Sequence, residues 1–84
     1  MKALLIDDSQ IVRKVIQGVL LSTCGFTEVI QKEDGELGLS EIKENPSRYD
    51  IIFLDWKMPK MDGIEVLVAM RGFGCLTPVV ICAP

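Results

Sequence analysis

Three aspartates have the residue type and placement that could do chemistry. Asp55 ends the run Ile51-Ile52-Phe53-Leu54-Asp55, and Asp7 and Asp8 follow the run Ala3-Leu4-Leu5-Ile6. An uninterrupted apolar run bounded by turn signals reads as a strand buried on both faces, as in a parallel sheet. Two such strands ending in acids would bring the carboxylates together on the carboxyl edge, where open α/β sheets hold their ligands. Three acids in one place repel, and one of their pKa values rises unless a cation joins them. An all-oxygen donor set suits a hard divalent cation, Mg2+ in particular. A single Asp at a strand end is more often a cap or a turn residue. Two such strand ends, one carrying adjacent acids, exceed what capping needs.

The elements that must position these acids follow from the pattern. Residues 2–6 read as strand one, and Asp8 or Ser9 can cap the helix after it. Ile11, Val12, Val15, Ile16, Val19 and Leu20 recur at helical spacing and predict a buried face, with Arg13, Lys14 and Gln17 outside. Gly25 marks the end of that helix. Phe26 to Ile30, with Thr27 and Glu28 interleaved, predicts an edge strand. Asp34 opens a second helix with Leu37, Leu39 and Ile42 as its apolar residues; Gly35 and Gly38 weaken it, and Asn45-Pro46 ends it. Asp50 to Asp55 is strand three. Pro59 keeps Met58 extended, and Asp62 with Glu65 forms a capping-box pattern for a third helix, in which Ile64, Leu67 and Val68 are expected to face inward. Residues 79–83 are again wholly apolar and predict strand four. The order β-α-β-α-β-α-β with short links implies right-handed crossovers and a parallel sheet with helices on both faces.

Composition narrows the chemistry. Eighty-four residues make one domain, and a net charge of -3 argues against direct nucleic-acid contact. The absence of His removes imidazole metal sites and histidine-based triads. Cys24, Cys75 and Cys82 form no CxxC pair and read as reduced thiols of a cytoplasmic protein. The amino terminus has the form of neither a signal peptide nor a membrane span.

Leu5-Ile6-Asp7-Asp8-Ser9, Asp34-Gly35, Tyr49 to Asp55, Met58-Pro59-Lys60-Met61-Asp62-Gly63 and Thr77-Pro78-Val79-Val80 together resemble the receiver domain of bacterial two-component response regulators. That resemblance implies a flavodoxin-like sheet in the order 2-1-3-4-5 and a Mg2+-dependent phosphorylation site served by a sensor histidine kinase. By position, Asp55 would be the phosphoacceptor. Asp8 would ligate Mg2+ directly, Asp7 largely through water, and the backbone carbonyl of Lys57 would be a further ligand. Such a domain catalyses its own aspartyl phosphorylation and is not a turnover enzyme.

The pattern also departs from that family. Receivers run to about 120 residues, a usual domain size. Residues 1–84 are therefore read as a single receiver domain truncated after its fourth strand, in the order 2-1-3-4. The family's phosphoryl-contacting Lys and aromatic switch residue, both on strand five, have no counterpart. The position of its strand-four Ser or Thr falls on Ala83, or on Cys82 with a one-residue slip. Lys57 reads as a solvated loop side chain. An alternative function is a pseudo-receiver, a protein-binding module that works without phosphate. A Mg2+-dependent phosphatase fits less well, because the second Asp two residues after the nucleophile is absent. An unpaired strand four is also expected to promote self-association, or complementation by another fragment, through residues 79–83.

Overall fold

The computed structural model describes residues 1–82. The elements alternate as β1 (Lys2–Ile6), α1 (Gln10–Ser22), β2 (Glu28–Lys32), α2 (Gly35–Glu44), β3 (Ile51–Asp55), α3 (Gly63–Gly72) and β4 (Val79–Cys82). All strands are parallel, in the order β2-β1-β3-β4. This is the expected flavodoxin-like arrangement. The second strand begins two residues later than the apolar pattern predicts, although the Thr27 backbone N–H already donates to the Met1 carbonyl just ahead of it.

The strand pleat divides the core in two. Leu4, Ile6, Ile52 and Leu54 pack with Ile42 of α2 and with Val66 and Met70 of α3. Ala3, Leu5 and Val29 point to the opposite face, where they meet Leu20 of α1. Each helix starts on a side-chain cap: Ser9 accepts from the Val12 N–H, Asp34 from Leu37 and Asp62 from Glu65.

Helix α1 is rotated from the expected orientation. Ile16 and Leu20 face the sheet together with Arg13 and Gln17, while Ile11, Val12, Val15 and Val19 are exposed. The cause lies on β2. Gln31, the register partner of Leu5, points at α1 and needs polar partners, which Arg13 and Gln17 provide. Helix α3 also differs from expectation. It buries Gly63, Val66 and Met70, Leu67 is half-buried, and Ile64 and Val68 are exposed. In α2, Leu37 is exposed and Ile42 is buried.

The glycines of α2 serve close packing. A Cβ on Gly38 would overlap the Ile6 side chain, and one on Gly35 would meet the Met61 carbonyl. Their helix-weakening effect is offset by the approach they allow between α2, the sheet and the loop after β3.

Candidate functional site

β1 and β3 are neighbours in register, so their carboxyl ends coincide. Asp7 and Asp8 emerge from one and Asp55 closes the other. Each of the three offers a carboxylate oxygen, and these oxygens lie within 4.8 Å of one another. They line a cleft of about 370 Å³ together with Ser9, Val12, Lys57 and Cys82. The donor set is all-carboxylate, graded from buried Asp7 through half-buried Asp55 to exposed Asp8. That chemistry fits a hard divalent cation with part of its water shell retained.

Asp7 is fixed from three sides. Its N–H donates to the Lys32 carbonyl at 3.1 Å. Its carbonyl accepts from Arg13 Nη1 at 2.6 Å, and its Oδ1 accepts from the Ser9 N–H at 2.8 Å. Asp55 is held through its backbone: a Cβ on Gly63 would overlap the Asp55 carbonyl oxygen, and the Gly63 N–H donates to Trp56 O at 2.9 Å. The loop between them carries Lys60 in the left-handed region at φ 70°.

Burial pushes the Asp55 carboxyl above its ordinary value. The charge of Asp7 adds to this, as do a hydrogen bond and repulsion from Asp8; a bond from the Trp56 backbone acts in the opposite direction. Ionising Asp55 therefore disfavours the folded state. The penalty is absent below the ordinary Asp value and fully present above the raised one. Asp55→Asn is expected to raise the thermal midpoint by a few degrees at pH 7 with chelator, and to leave it unchanged at pH 3. An equal or lower midpoint at pH 7 would contradict the repulsive cluster.

Cys82, the register partner of Asp55, stands in the same cleft. Burial pushes its thiol up, and the charges of Asp7 and Asp55 push it further, against a backbone bond at Leu54. It is held as a neutral thiol, a poor competitor of a carboxylate for a cation or an electrophile. Ala83, the other position considered for a strand-four hydroxyl, lies outside the described residues. Lys57 is exposed at the rim and is the one cation among the described residues lining the cleft.

A larger cleft of about 640 Å³ lies at the opposite end of the sheet, among Lys43, Pro46, Phe73, Cys75 and Leu76. It gathers no carboxylate, so size alone does not make it the site. Sequence reasoning found the three acids but missed Arg13 and Gly63. Periodicity put Arg13 on the polar outside, and nothing local reveals that Gly63 abuts Asp55.

The fold and cleft define a parallel α/β module with acids at its carboxyl edge. The family described as response regulator receiver domain matches residues 3–83, and the chain belongs to that family. It is 34% identical over 79 residues to a two-component response regulator, ORR41, of Oryza sativa subsp. japonica, covering 94% of this chain and 62% of that protein. The Francisella response regulator 1452 receiver domain superposes with a TM-score of 0.89 at 33% identity, over 98% of this chain and 64% of that one. The receiver domain of the histidine kinase CKI1 from Arabidopsis thaliana, complexed with Mg2+ and BeF3-, gives 0.82 at 30% identity over the same shares. The chain thus spans less than two thirds of the length of these relatives. No described helix is long and apolar enough to cross a membrane.

Proposed function

We propose that this chain is a phosphoacceptor receiver, or the amino-terminal part of one, in which Asp55 takes a phosphoryl group from a sensor histidine kinase in the cytoplasm. The observation that carries this reading is the convergence of Asp7, Asp8 and Asp55 within 4.8 Å at the carboxyl edge of the sheet. Mg2+ held there by Asp7, Asp8, Asp55 and the Lys57 carbonyl would supply neutralisation of the charge shared by the phosphoryl group and its acceptor. The CKI1 receiver's complex with Mg2+ and BeF3- supports this assignment by likeness.

The chain's own residues do the rest. An Asp55 carboxylate oxygen attacks the donor phosphorus, forming the new O–P bond as the donor's N–P bond breaks; the imidazole nitrogen takes the bonding electrons. Asp7, buried and fixed by Lys32, Ser9 and Arg13, keeps the acid cluster in register with Asp55. Ser9 starts α1 beside the cleft, where helix N–H groups favour an anion. The domain would catalyse only its own phosphorylation.

A phosphate-independent binding module is the second reading. It is favoured by the cleft having Lys57, on an exposed loop, as its one cation among the described lining residues.

Trp56 is the only Trp, follows Asp55 directly and is partly exposed. Its fluorescence is expected to change saturably with Mg2+, and Asp8→Ala or Asp55→Asn should weaken that response at least tenfold. A flat titration in all three proteins, with calorimetry also silent, removes the metal site.

A further inference from the structure

Turning Arg13 and Gln17 inward, half-buried, while exposing Ile11 and Val15 costs apolar cover, so the inward polar residues need a reason to be there. They form one chain of bonds. Gln17 Oε1 accepts from Gln31 Nε2 at 2.7 Å, Gln31 Oε1 accepts from Arg13 Nε at 3.1 Å, and Arg13 Nη1 donates to the Asp7 carbonyl at 2.6 Å. The guanidinium fork is therefore oriented by Gln31 and aimed at Asp7, the most buried of the three acids. Asp7 lies one residue beyond the end of β1, where its carbonyl has left the ladder. Without Arg13, the turn that turns its carboxylate into the cleft would keep its bonds to Lys32 and Ser9 and lose the bond to its own carbonyl.

We propose that Arg13 is a positioning residue for the acidic cleft: oriented through Gln31 and Gln17 on β2 and α1, it fixes the Asp7 backbone and so the Asp7 carboxylate. This rests on reading the cleft as a Mg2+ site. Outer-shell partners that orient ligands typically affect metal affinity by about 10–100-fold.

The sign of the effect distinguishes positioning from simple charge. As a nearby cation, Arg13 would repel Mg2+, and its removal would tighten binding. As a positioning group, its removal loosens binding. Arg13→Met, which keeps the apolar stem, is expected to weaken Mg2+ binding by roughly tenfold or more in the Trp56 titration. Gln31→Leu, which keeps the charge but removes its support, should shift affinity the same way by less. Amide hydrogen exchange of Ser9, read without metal, should accelerate in both variants relative to Leu37, whose N–H is capped by Asp34 far along the chain. Should Arg13→Met fail to fold, Gln31→Leu carries both measurements. Unchanged or tighter Mg2+ binding in a folded variant overturns the proposal, as does unchanged Ser9 exchange. If the unaltered protein itself ignores Mg2+, the metal reading fails instead, and the Ser9 exchange decides the positioning role alone.

Discussion

Gly63→Ala is expected to destabilise the protein by roughly 1–3 kcal/mol, the usual cost of overpacking a filled site. The added methyl has nowhere to go. It would overlap the Asp55 carbonyl, with the Trp56 Cα close behind, and both are backbone that can move only by shifting β3. A domain of this length has about 4–13 kcal/mol of total stability, so the loss is a large fraction. The same displacement moves Asp55 relative to Asp7, and Mg2+ affinity should fall with stability. Gly18→Ala is the control. Gly18 lies mid-helix in α1 with open space where its Cβ would stand. There Ala should stabilise by about 0.5–1 kcal/mol through reduced chain entropy. Urea unfolding of both variants checks the contrast. Equal midpoints would mean that Gly63 is not the tight packing point it resembles.

The second large effect concerns association. β4 pairs with β3 alone, so its far edge carries unpaired N–H and C=O groups among the described residues. Val79 and Ile81 pack toward α2 and α3, which turns Val80 to the α1 side. The same side of the sheet carries α1, with an exposed apolar stripe in which Ile11 is 77% and Val15 62% exposed. No charge on Val79–Cys82 discourages a further strand. We expect the 84-residue chain to self-associate through this edge, with two copies of β4 pairing and the α1 stripes meeting on one face. Each large side chain removed from water contributes about 1.5–3 kcal/mol, which is tenfold or more in the dissociation constant. Val80→Lys should therefore shift the equilibrium toward monomer by at least that factor. Sedimentation equilibrium over a wide concentration range measures it. A cooperative, folded monomer at every concentration would show that the open edge is not an adhesive one.

These two predictions mark what was and was not legible in the residues. Strand identity and the meeting of Asp7, Asp8 and Asp55 were legible, because parallel strands buried on both faces leave unbroken apolar runs and the acids end them. The three helix caps were legible because capping is local. The rotation of α1 was not. Seven apolar residues on thirteen positions define a wide stripe, and periodicity alone does not say which edge of it meets the sheet. That was settled by Gln31 on another element. The use of the glycines was not legible for a related reason: propensity records the cost of Gly35 and Gly38 in a helix, whereas their use is a close approach to Met61 and Ile6 that exists only in the folded chain.

The phosphoacceptor assignment itself is open to one direct measurement. The protein is incubated with acetyl phosphate and Mg2+, the acyl phosphate is trapped chemically, and the modified residue is mapped by mass spectrometry. The label is expected on Asp55 alone, to depend on Mg2+, and to disappear in Asp55→Asn. A label on any other residue, or an undiminished yield from Asp55→Asn, would contradict the assignment.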